Sequence, residues 1–165
     1  MNGKENTRKK VYTDGVHHEL RSEKMSEAFC RKVLELNYEK GMSIEQMGVE
    51  MTDIEPGWAR GELMIRDKHR NTIGSIHGGV LFFLADTVVG FAAMTRMEEV
   101  TTASASIHYM NPVLGQKKLI AEATELKAGK NLRVYDVVIT TEDGRLLTKA
   151  TMEYASLHTT FMDEE

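Results

Sequence analysis

The stretch His77-Gly78-Gly79-Val80-Leu81-Phe82-Phe83-Leu84-Ala85-Asp86-Thr87-Val88-Val89-Gly90-Phe91-Ala92-Ala93-Met94 decides the fold. It is apolar on nearly every helical face, so a helix built from it needs cover all round rather than along one stripe. Asp86, Thr87 and Gly90 interrupt the run, which falls short of the roughly 20 apolar residues that a membrane span requires. The pattern predicts a buried central helix over about residues 78–95.

Strand-like sequence lies on both sides of it. Two extended segments precede it, at residues 46–54 and 58–65, joined by Glu55-Pro56-Gly57, which favours a tight reversal. The polar residues 67–76, with Asn71 and Gly74, read as a loop leading into the helix. Four further strands are expected at residues 101–109, 118–126, 132–141 and 146–157. They are separated by Asn111-Pro112 with Gly115, by Ala128-Gly129-Lys130-Asn131 and by Glu142-Asp143-Gly144-Arg145, where Asp-Gly is a strong hairpin signal. An all-round apolar helix flanked by two strands and then four implies an α+β fold in which an antiparallel sheet wraps around the helix, the hotdog arrangement.

The amino-terminal part differs in texture. Residues 1–24 are polar and mixed in charge, with a basic cluster at Arg8-Lys9-Lys10, and read as an extension with little to bury. From residue 25 onward Phe29, Cys30, Val33, Leu34 and Leu36 fall three or four apart, Ser26 can cap the start, and Gly41 stands where helices end. An additional N-terminal helix is expected there, within a single domain spanning residues 25–160.

Bulk properties narrow the function classes. A chain of 165 residues, 41% hydrophobic and 28% charged, suits one globular domain. A net charge of -4 argues against a general nucleic-acid binder, which needs a basic excess for phosphates. Cys30 is the only cysteine, so neither an internal disulfide nor a cysteine metal site is expected, in keeping with a reducing compartment. No apolar stretch follows the charges of the amino terminus, so no secretory signal is expected, and the cytoplasm is the expected location. His17-His18-Glu19 are neighbours in a polar arm that do not converge readily on one ion, and no metal is expected.

Asp86 is the most informative residue. A carboxylate among Phe82, Phe83, Leu84, Ala85, Val88 and Val89 costs several kcal/mol unless it is paired, hydrogen-bonded or open to a cleft. Two readings account for it: a structural aspartate satisfied by a hydroxyl or backbone partner at a subunit contact, or a catalytic base or nucleophile. Gly78 and Gly79 stand at the helix start, where the first N–H groups lack intrahelical partners and the dipole is positive. Glycine there serves loop packing, or lets a substrate carbonyl approach closely enough for an oxyanion to be held. Along one helix Gly78 and Asp86 are about 12 Å apart, too far to touch one carbonyl. If both act on one group, a second copy must supply one of them across a two-fold axis.

The ordered set Asn71, His77-Gly78-Gly79, Leu84-Ala85-Asp86, Ser104, Asn111-Pro112, Gly115, Gly129 and Asp143-Gly144 resembles the PaaI-like (phenylacetyl-CoA) branch of the hotdog-fold acyl-CoA thioesterases, over roughly residues 42–157. The resemblance implies hydrolysis of acyl-CoA to free acid and coenzyme A with no cofactor beyond water. It implies that Asp86 activates water or attacks the thioester, and that Gly78 donates its N–H to the carbonyl oxygen. Asn71 would position substrate or water from the opposite subunit, Ser104 would hydrogen-bond the attacking water or the aspartate, and His77 would hold the helix start. The plainer alternatives for these three are a turn former, a strand hydroxyl and a local cap. An aspartate rather than a glutamate at this position points to the PaaI-like branch. A homodimer, with pairing into a homotetramer, belongs to the same expectation.

For substrate contacts the expectation names Gly79, and Phe82 and Phe83 for the acyl group. Lys130 and Arg133, with Lys127 around the Gly129 turn, are candidates for the coenzyme phosphates, against the reading of an ordinary solvated turn. A hotdog module that binds or senses acyl-CoA without turnover is the alternative, and it leaves Asp86 without a purpose. A hotdog dehydratase would need a different histidine and acid arrangement.

Overall fold

The computed structural model describes residues 42–160 together with two helical positions before them, buried Val33 and exposed Glu35. The extension 1–24 and the rest of the helix expected from residue 25 lie outside the described residues. The described elements run α1 (Met42–Met47), β1 (Val49–Glu55), β2 (Trp58–Met64), a 3-10 turn (Asp67–His69), α2 (Gly78–Met94), β3 (Glu98–Tyr109), β4 (Lys118–Ala128), β5 (Leu132–Thr140) and β6 (Leu146–Thr160).

The six strands form one antiparallel sheet in the order β1-β2-β4-β5-β6-β3. Helix α2 touches every one of them. Leu84, Ala85, Val88, Val89, Ala92 and Ala93 along it are fully buried, which is the covering that its sequence demands. Small residues bring sheet and helix close. A Cβ on Gly61 of β2 would lie 2.9 Å from Val88 Cγ2, so any larger residue there would force strand and helix to shift. This is the hotdog fold.

One boundary corrects the expectation. Gln46 and Met47, assigned from sequence to a strand starting at residue 46, end helix α1. The helix stops at Gly48, whose φ of 74° is the left-handed conformation glycine adopts without penalty. Its N–H reaches back to the Ile44 and Glu45 carbonyls at 2.9 and 3.0 Å. Half-buried Ile44 and Met47 pack against the core and hold the turn in place.

Strand β3 positions the site. It pairs only with β6, so its other edge is unpaired among the described residues, and most of its side chains are exposed. Its register against β6 slips between Thr102 and Ser104: Thr102 faces Tyr154, whereas Ser104 faces Glu153. Neighbours on a strand point to opposite faces. The bulge therefore turns Ser104 away from the face that Thr102 shares with Tyr154.

Candidate active site

Asp86 projects from the middle of α2 and is half-buried. Two hydroxyls converge on one of its oxygens: Thr102 donates to Oδ1 at 2.8 Å and Tyr154 at 2.5 Å. The Tyr154 hydroxyl also lies 2.7 Å from the Asp86 carbonyl oxygen. Bonds to a carboxylate are the stronger kind, and they offset the cost of holding the charge in an apolar helix. Burial, and next the Asp86 charge, push the Tyr154 phenol well above its ordinary range, so it stays protonated and keeps donating. Tyr135 packs edge-on against Tyr154 at 6.2 Å and limits where that ring can go. Among the described residues, no donor is bonded to Oδ2.

Thr102 and Tyr154 were not among the residues singled out from sequence. Ser104 was, as the hydroxyl beside the aspartate, and the structure corrects this: Ser104 donates to Glu153 Oε2 at 2.8 Å instead. On an unbroken strand Thr102 and Ser104 would share a face; the bulge separates them and leaves the aspartate to Thr102. The available signal for Thr102 was the alternation of the strand expected at residues 101–109, which groups Thr102, Ser104, Ser106 and His108 as one polar set. For Tyr154, sixty-eight residues from Asp86, the sequence carried no local signal.

At the other end of α2, His77 is the N-cap and its Nδ1 accepts the Gly79 N–H at 2.9 Å. Gly79 therefore spends its amide on the cap. The Gly78 N–H has no acceptor among the described residues, which makes it the donor that a developing negative charge could use. Tyr109 of β3 lies over this glycine: its hydroxyl donates to the Gly78 carbonyl at 3.1 Å. Asn71 closes the preceding loop, its Oδ1 accepting the Ile73 and Ser75 N–H groups at 3.1 Å each. Only its amide nitrogen is left to offer a ligand.

The two ends of the helix open into separate clefts. One, of about 310 Å³, is lined by Asp86 with Thr102, Tyr154, Phe83, Gly90 and Ile44 among others. The other, of about 300 Å³, is lined by Gly78 with Ser75, Tyr109 and Asn111 among others. They share no lining residue, and one chain does not bring Asp86 and Gly78 together. Phe82 packs half-buried against the core, outside both.

The turn between β4 and β5 leaves Lys130 exposed. Arg133 is not available beside it. Its guanidinium is buried, donates to the Ala93 carbonyl at 3.2 Å near the C-terminus of α2, and pairs with Glu98. A cation at that end complements the helix dipole, and the turn reading had placed it in solvent. Among the described residues, no three His, Cys, Asp or Glu side chains are grouped so that they could hold a metal ion. No helix among them is long and apolar enough to cross a membrane.

Comparison with known proteins gives this geometry a context. The model of the thioesterase superfamily matches residues 73–148, which include Gly78, Asp86 and Thr102. The acyl-coenzyme A thioesterase PaaI of Escherichia coli K12 is 28% identical over 102 residues, 62% of this chain and 73% of that protein. The solved structure of E. coli PaaI superposes with a TM-score of 0.76 at 22% identity, over 79% of this chain and 95% of that one, a likeness of fold. A hypothetical thioesterase of Streptococcus pneumoniae TIGR4, solved with coenzyme A, superposes with a TM-score of 0.63 at 26% identity, over 66% of this chain and 84% of that one. Fold, motif and these likenesses agree: the chain has the hotdog fold, its residues 73–148 match the thioesterase superfamily, and it is similar to PaaI-like thioesterases.

Proposed function

We propose that the protein hydrolyses acyl-CoA thioesters to a free acid and coenzyme A, in a homodimer whose two chains complete each site. The observation that carries this reading is the Asp86 carboxylate, fixed through Oδ1 by Thr102 and Tyr154 at a cleft, with Oδ2 left to engage water. The naming of the E. coli relative as an acyl-coenzyme A thioesterase supports the substrate class.

In this mechanism Asp86 Oδ2 takes a proton from water as the water oxygen bonds to the thioester carbon. The carbonyl oxygen becomes an oxyanion and accepts the N–H of the partner subunit's Gly78. When the intermediate collapses, the carbon–sulfur bond breaks and the proton held by Asp86 goes to the departing thiolate. Asn71, with Oδ1 tied into its loop, offers its amide nitrogen to the substrate. Lys130 is the remaining member of the Lys130 and Arg133 pair free to meet a phosphate.

The two separated clefts support the dimer in this reading. Antiparallel α2 helices place one Gly78 beside the other chain's Asp86 when the two-fold axis passes near Phe82, midway between them. Thr102 and Tyr109 lie at the two clefts on β3, and their midpoint falls between Ala105 and Ser106. The same axis would then pair the unpaired edge of β3 with its copy, which also removes an exposed edge. Pairing of two dimers into a tetramer remains part of the proposal on family grounds.

The deciding experiment is thiol release from aromatic, short and long acyl-CoAs by the unaltered protein and by Asp86→Asn. The variant should lose about 10²- to 10⁴-fold in kcat while still binding acyl-CoA. Binding without thiol release by the unaltered protein would replace the hydrolase with an acyl-CoA sensor.

A further inference from the structure

We propose that the absent side chain at Gly90 determines which acyl groups the protein accepts, by leaving room beside Asp86 for an apolar acyl group larger than acetyl. This deepens the hydrolase reading and rests on it. Gly90 lies inside α2, where glycine is less favourable than alanine, so its presence needs a cause. The backbone does not supply one, because Gly90 is not among the positive-φ glycines. Packing does not supply one either. Among the described residues a Cβ at this position would meet only Tyr154, its hydroxyl at 3.7 Å and its Cε1 at 3.9 Å, which is ordinary contact. Gly61, on the opposite side of the helix, shows the contrast, with Val88 at 2.9 Å.

What Gly90 does face is the cleft that holds Asp86. It stands one helical turn beyond the carboxylate, about 6 Å along the axis. Asp86, Gly90 and Met94, spaced four apart, form one line along the cleft, with Ile44 of α1 and Val100 of β3 also lining it. An acyl group attached at a carbonyl beside Asp86 would run over Gly90 toward Met94. The methyl of an acetyl group ends before Gly90, whereas a phenylacetyl ring or a hexanoyl chain lies over it. A methyl at position 90 would therefore enter the space of the substrate while clashing with none of the described residues, and larger side chains would fill more of that space.

The test is a size series, Gly90→Ala, Gly90→Val and Gly90→Leu, assayed with acetyl-CoA, hexanoyl-CoA and phenylacetyl-CoA. The ratio of kcat/KM for either larger substrate to that for acetyl-CoA should fall stepwise, by about tenfold or more at leucine. The Tm of Gly90→Ala should be no lower than that of the unaltered protein. A ratio that stays constant across the folded series overturns the proposal, as does an equal loss for all three substrates. If the unaltered protein releases no thiol from any acyl-CoA, the hydrolase reading fails by itself. The pocket is then read by titration calorimetry with the non-hydrolysable hexanoyl thioether of coenzyme A. Weakening along the series with free coenzyme A binding unchanged supports the pocket; unchanged affinity, or no binding by the unaltered protein, overturns it.

Discussion

Thr102 and Tyr154 are cross-strand partners on β3 and β6, and both hydroxyls end on the same carboxylate oxygen of Asp86. Two donors on Oδ1 fix the carboxylate plane and leave Oδ2 as the oxygen that can work. Removing one donor should cost more in turnover than in binding. For Tyr154→Phe, hydrogen bonds to charged groups being worth about 1.5–3 kcal/mol, kcat should fall about ten- to hundredfold with KM little changed. Steady-state kinetics on one acyl-CoA decides it, and a rise in KM at constant kcat would assign Tyr154 to substrate binding instead.

Gly78→Pro isolates the oxyanion donor. Proline lacks the N–H yet suits the first position of a helix. The preceding His77, at φ -65° and ψ 133°, is already in the extended region that a following proline requires. Tyr109, 3.3 Å from the site of a Cβ, is a half-exposed ring that can yield. The variant should fold and lose about 10²- to 10³-fold in kcat. Mixed with Asp86→Asn after joint refolding, it should regain about a quarter of full activity, since half of the random dimers carry one intact site. No recovery in verified mixed dimers would mean that the two residues do not share a site across subunits.

His69 makes stability depend on pH. It is buried, its Nδ1 accepts the Arg66 N–H at 3.0 Å, and burial followed by the Lys68 charge lowers its pKa from 6.5. A histidine held neutral by the fold contributes stability above its unfolded value, lost as pH falls from about 6.5 through the lowered folded value. Urea denaturation midpoints should therefore drop across that window. His69→Asn keeps an acceptor near Nδ1 without the titration and should flatten the slope there; a slope identical in both proteins would assign the effect to other groups.

Gly61→Ala should destabilise by about 1–3 kcal/mol, because the new methyl meets Val88 at 2.9 Å and the Glu50 carbonyl at 3.3 Å. Val88→Ala should relieve part of that loss, so the two changes would combine less than additively in a double-mutant cycle. Strict additivity in the urea midpoints would remove the contact from the account.

Much of the fold was legible because α2 announces itself: a run apolar on all faces requires a wrapping sheet, and Asp143-Gly144 and Pro56-Gly57 mark two reversals. Helix α1 was not, since six residues are too few for periodicity to separate helix from strand. At the site, Asp86 stood out as a charge in an apolar run and Gly78 as an amide at a helix start. Thr102 was hidden by the bulge, which reverses the alternation that made Ser104 look equivalent. Tyr154 depended on a contact between distant parts of the chain, and Arg133 on a helix end that its turn does not reveal.

Tyr109 lies seven positions after Thr102, an odd interval that on a regular strand would send the two side chains to opposite sides. Yet Thr102 reaches Asp86 and Tyr109 reaches Gly78. The single extra residue at position 103 acts as a phase correction, letting one strand attend to both the middle and the start of the same helix. Shortening the chain by one there would leave either the acid or the amide end without its neighbour, so a position that carries no reacting group is intolerant of any change in length.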